Sequence, residues 1–94
     1  MPNLSLAIVE NERFVRHTES RTEQMLYNMT VMRAHEQRKY VITAIDEVID
    51  CLNRLMELVN RTLQIGVIVN MTSFELGALE LKVKTQRLNS VMMN

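Results

Sequence analysis

From Val41 to Leu63 the chain reads VITAIDEVIDCLNRLMELVNRTL, a segment without glycine or proline. Written as heptads with Ile45 at position a, it places Ile45, Leu52 and Val59 at a, and Val41, Val48 and Leu55 at d. Positions e carry Ile42, Ile49, Met56 and Leu63, and positions g carry Ala44, Cys51 and Leu58. Asp46, Glu47, Asp50, Arg54, Glu57 and Arg61 fall on the remaining, polar positions. A two-stranded coiled coil needs apolar residues only at a and d, with charge at e and g. A helix apolar over four positions in seven must be covered from more than one side. Burying one large aliphatic side chain is worth roughly 1.5–3 kcal/mol, so the stripe predicts a bundle of three or more helices. Those helices come from this chain, from other chains, or from both.

Upstream, a narrower stripe runs through Val15, Thr18, Thr22, Met25, Met29 and Met32. Its a positions are offset by two residues from those of the main segment. Coiled coils absorb insertions of three or four residues by local winding, but not of two. The intervening RAHEQRKY, residues 33–40, is mostly polar, so a turn is expected near 33–39 in place of one continuous helix. Downstream, Gly66 is placed to end the main helix, and Thr72 with Glu75 has the spacing of a capping box for a new helix with Phe74, Ala78, Leu81, Leu88 and Met92 on its inner face. Leu79, Leu81, Val83 and Thr85 also alternate with polar residues, so a short β-hairpin of 65–69 and 79–86 competes with a helix there. The expected fold class is therefore all-α: long amphipathic helices in a coiled-coil-like bundle, with a short hairpin as the competing form of the last third. The chain is read as one helical domain over 1–94, with helices near 6–33, 38–65 and 73–92.

Composition narrows the function classes. Eleven acids balance eleven bases, which removes the broad positive field that draws proteins to nucleic acid or anionic membranes. With 94 residues and a single cysteine, the chain has neither an internal disulfide nor a cysteine zinc cluster to support a small core. Partner chains are the expected support. The start, MPNLSLAIVENERF, lacks a basic leader, and the run Val67–Val69 is too short to cross a bilayer. The chain reads as soluble, with a cytoplasmic location favoured over a secreted or virion one.

No pattern proposes catalysis. His17 and His35 stand apart from other ligand-type residues, and Cys51 lacks a nearby base in sequence. The acids Asp46, Glu47 and Asp50 crowd one outer face, and Asp50–Arg54 and Glu57–Arg61 are spaced as i, i+4 pairs. The bases Arg33, Arg38 and Lys39, and again Lys82, Lys84 and Arg87, read as solvated surface. Four of the eight asparagines, Asn3, Asn28, Asn60 and Asn70, begin N-x-S/T sequons. The serine and threonine content leads one to expect about one by chance, an excess that hints at a glycoprotein.

The sequence thus points to a non-enzymatic structural or assembly protein with no cofactor, metal or small-molecule substrate. Its expected partner is another copy or a helical protein. The interface residues are Val41, Ile45, Val48, Ile49, Leu52, Leu55, Met56 and Val59, with Met25, Met29 and Met32 as a pliable strip. Two other readings stand beside it: a helical chaperone or adaptor that takes a partner's amphipathic helix, and the coiled-coil stalk of a viral or secreted glycoprotein. Leu52→Asp is expected to remove helix content and assembly together, read by circular dichroism and solution mass. A folded variant of unchanged mass would refute the role given to that face.

Overall fold

A computed structural model gives three α-helices: α1 (Leu4–His35), α2 (Lys39–Ile65) and α3 (Met71–Met92). It describes residues 4–65 and 71–93, with side chains over 12–63 and 72–93. Each helix runs antiparallel to the next, so α1 and α3 run parallel on the two flanks of α2. The body measures 55 × 20 × 15 Å.

The wide stripe of α2 organises this arrangement. Val41, Ile45, Leu52 and Val59 are fully buried, and Ala44, Val48, Cys51 and Leu55 nearly so. One core cluster joins Val41, Ala44, Ile45, Val48 and Leu52 to Leu88 of α3, with Met25, Leu26, Met29 and Met32 of α1 packed against it. A second gathers Val15 of α1, Val59 of α2 and Phe74 of α3. Both flanks of the stripe are therefore covered by the chain itself, and the expected bundle of three helices forms within one chain. The weaker stripe of α1 also points inward. Val15 and Thr22 are buried, while Thr18 is half-buried and its hydroxyl donates to the Phe14 carbonyl at 2.9 Å. That bond satisfies a polar residue on an inward-facing row.

The expected turn lies at residues 36–38. Its centre is the Glu36 carboxylate, which accepts bonds from the backbone N–H of Gln37 (3.2 Å) and of Arg38 (3.0 Å). The Arg38 guanidinium also donates to it, at 2.9 and 3.1 Å. The Arg38 carbonyl then accepts the N–H of Ile42 at 3.0 Å, opening α2. Further out, Arg33 bridges to Asp46 across the hairpin. Arg54 and Arg87 of α2 and α3 reach Glu80 (2.5 Å) and Glu47 (3.6 Å) on the facing helix. These pairs are half-exposed, and such pairs contribute only about 0.2–1 kcal/mol each. They set register more than stability, which the apolar stripe supplies.

The last third corrects one expectation. Residues 79–86 are helical, and no strand occurs among the described residues, so the competing hairpin is not formed. Its other arm, 65–69, lies almost wholly outside the described residues. The physical reason is the neighbour offered by α2. As a helix, residues 74–88 deliver Phe74, Leu81 and Leu88 to the same side, where α2 covers them. Gly77 permits the close approach: a Cβ there would lie 2.5 Å from Leu55 Cδ2. The helix begins at Met71, one residue ahead of the expected cap Thr72, and Ala78 and Met92 of the expected inner face are exposed.

Hydrogen bonds from the Arg38 side chain and backbone hold the Glu36 carboxyl down at about 2, below its ordinary 4.5. A depressed carboxyl favours the folded chain above its unfolded value, and that contribution fades as acid protonates it. Stability is therefore expected to fall from pH 4.5 to about 2. Glu36→Gln should flatten that part of a plot of urea midpoint against pH. An identical plot for both proteins would remove the turn from the account.

Candidate functional site

The residues singled out as an interface separate into two groups. Val41, Ile45, Val48, Leu52 and Val59 lie inside the chain's own core, and Ile49, Met29 and Met32 pack half-buried against it. In this fold that stripe is already occupied by α1 and α3. Met56 is half-buried on α2. Met25 and Leu55 differ from the rest, because both border a groove that opens between α1 and α3.

The groove follows from the way the two outer helices flank α2. No Cα of α1 comes within 8 Å of one of α3 among the described residues. The space between them is about 470 Å³. Leu55 forms its floor, with Thr18, Thr22 and Met25 on the α1 wall and Ala78, Leu81 and Thr85 on the α3 wall. Phe14 and Phe74 approach edge to face, 5.5 Å between centroids at 78°, at the end where α1 and α3 have their earlier residues. The charged rim residues are Arg21 from α1 and Lys82 from α3, beside His17, with no acid among the lining side chains. One polar atom in the wall, the Thr85 hydroxyl oxygen, is buried and has no hydrogen-bond partner.

Sequence reasoning found Met25 and Leu55 but missed Phe14, Phe74 and Lys82 as parts of one surface. Phe14 lies on α1 and Phe74 and Lys82 on α3, and only the antiparallel pairing of each helix with α2 brings them together. The single signal available was Phe74 on the expected inner face of α3.

The other chemistry-bearing residues give no reaction centre. Cys51 is buried, and its thiol faces the Gly77 carbonyl at 3.8 Å. Burial, then the charge of Glu80, raises its pKa, so the reactive thiolate is suppressed. His17 sits on the groove rim and His35 ends α1, both exposed. No group of three or more His, Cys, Asp or Glu able to hold a metal occurs among the described residues. None of the described helices is long and apolar enough to cross a membrane. The i, i+4 pairs form as spaced, Asp50–Arg54 at 3.2 Å and Glu57–Arg61 at 3.3 Å. Asp46 and Glu47 reach Arg33 and Arg87 of the neighbouring helices. Of the sequons, Asn28 and Asn60 are exposed on helices, while Asn3 and Asn70 lie outside the described residues.

The chain matches no protein-family model, no curated protein and no solved structure.

Cys51 is expected to react slowly with an aromatic disulfide at pH 8 in the folded protein and rapidly in urea. Equal rates in both conditions would show that the thiol is not enclosed between α2 and α3.

Proposed function

We propose that this chain is a non-enzymatic helical interaction module that takes up an amphipathic helix in the groove between α1 and α3. The supporting observation is the groove itself: apolar walls, a leucine floor and a rim whose charged residues are all basic. A helix laid along it would give α2's stripe a third neighbour at Leu55, completing a four-helix arrangement. Helix-in-groove recognition places apolar anchors at i, i+3, i+4 and i+7 into such a channel. Arg21 and Lys82 favour anchors flanked by acids. Met25 supplies a wall that adapts to side chains of different shape. This is the adaptor reading of the sequence, with the site moved from the α2 stripe to the channel beside it.

A labelled designed helix with leucine anchors and glutamate flanks tests it by fluorescence anisotropy. It is expected to bind at micromolar protein, and a lysine-flanked version of the same helix is expected to bind at least about tenfold more weakly. Ala78→Arg, at an exposed small residue of the wall, should abolish binding with an unchanged circular dichroism spectrum. If the glutamate-flanked helix fails to bind the wild-type chain, the groove is not a helix receptor.

A further inference from the structure

The face of α3 turned away from α2 carries a second apolar surface, distinct from the groove. Leu76, Leu79 and Val83 are 62%, 59% and 55% exposed, and their i, i+3, i+7 spacing sets them in one row. Each edge of that row has an acid followed seven residues later by a base. Glu75 and Lys82 mark the edge nearer the groove, and Glu80 and Arg87 the other. Glu80 and Arg87 already pair with Arg54 and Glu47 inside the chain. Glu75 and Lys82 make no ion pair among the described residues.

This pattern fits a second copy of the same chain and fixes its direction. A parallel α3 would set acids against acids and bases against bases. An antiparallel α3 sets the acidic half of one row against the basic half of the other, on both edges at once. With the two-fold axis at the level of Leu81, Leu79 lies across from Val83 of the second copy, twice over, and the central apolar residues cover one another. We propose that the chain forms an isologous dimer through the outer face of α3, with the two α3 helices antiparallel. An exposed row of large aliphatic residues bordered by charge has the make-up of an interface core with its rim. The free carboxylate of Glu75 and the free ammonium of Lys82 supply the complementary charges that the fold leaves unused. The two outer faces meet on the side away from α1, so the groove stays open in the dimer.

Sedimentation equilibrium of the full chain tests this. The mass is expected to rise with concentration from 11.0 kDa toward twice that value. Leu79→Glu should raise the dimer dissociation constant at least about tenfold. Because Leu79 already faces solvent, the helical circular dichroism signal should persist. Glu75→Lys should weaken the dimer roughly fivefold, since it turns an attraction to Lys82 of the other copy into a repulsion. In a parallel dimer Glu75 would face Glu80 of the other copy, so the same change would turn a repulsion into an attraction and tighten the dimer. A chain that stays monomeric at millimolar concentration overturns the proposal. So does a dimer indifferent to Leu79→Glu, and a dimer indifferent to Glu75→Lys overturns its antiparallel direction. Failure of helix binding in the groove has no bearing on these outcomes, so the two readings stand or fall separately.

Discussion

The structure depends on keeping water away from the apolar side of α2. Its residues Val41, Ile45, Leu52 and Val59 are completely enclosed, while the ion pairs around them are half in solvent. Apolar burial at roughly 1.5–3 kcal/mol per large side chain outweighs exposed pairs worth a fraction of that. The two outer helices are therefore placed by the needs of the middle one. Neither α1 nor α3 carries a stripe as continuous as that of α2, and each finds its burial chiefly against α2.

That dependence also leaves surface over. A middle helix covered from two flanks has a remaining arc, and it is there that the groove opens between α1 and α3 with Leu55 at its base. The polar residues of the groove are consistent with use as a contact surface. The rim offers positive charge, and the wall offers the unpartnered Thr85 hydroxyl. The outer row of α3 has another origin. A 22-residue helix rich in leucine and valine carries more apolar residues than its inner face can hold, and Leu76, Leu79 and Val83 are the surplus. These two surfaces differ in kind: one is a concave channel with one sign of charge, the other a convex row with both signs. The occupants proposed for them, a foreign helix and a symmetric copy, follow that difference.

Much of the fold was legible along the chain. The turn at 36–38 followed from a heptad offset that no coiled coil absorbs. The last third was not legible in the same way. Leu79, Leu81, Val83 and Thr85 satisfy a period of two as well as they satisfy a helix, so local pattern could not choose. Contact decided it: only a helix brings Phe74, Leu81 and Leu88 together against α2 with Gly77 closing on Leu55.

By itself, the sequence determined that Val41–Leu63 forms a helix wrapped by others, because helical periodicity and the cost of wetting aliphatic groups are local properties of those residues. It left open which chain supplies the wrapping. Only the tertiary structure decided that α1 and α3 of the same chain do so. It also assembled the groove from Phe14, Leu55, Phe74 and Lys82, residues far apart in sequence. A surface made of separated segments exists only once each helix has taken its register against α2, and that register is set by packing across helices, which no single segment encodes.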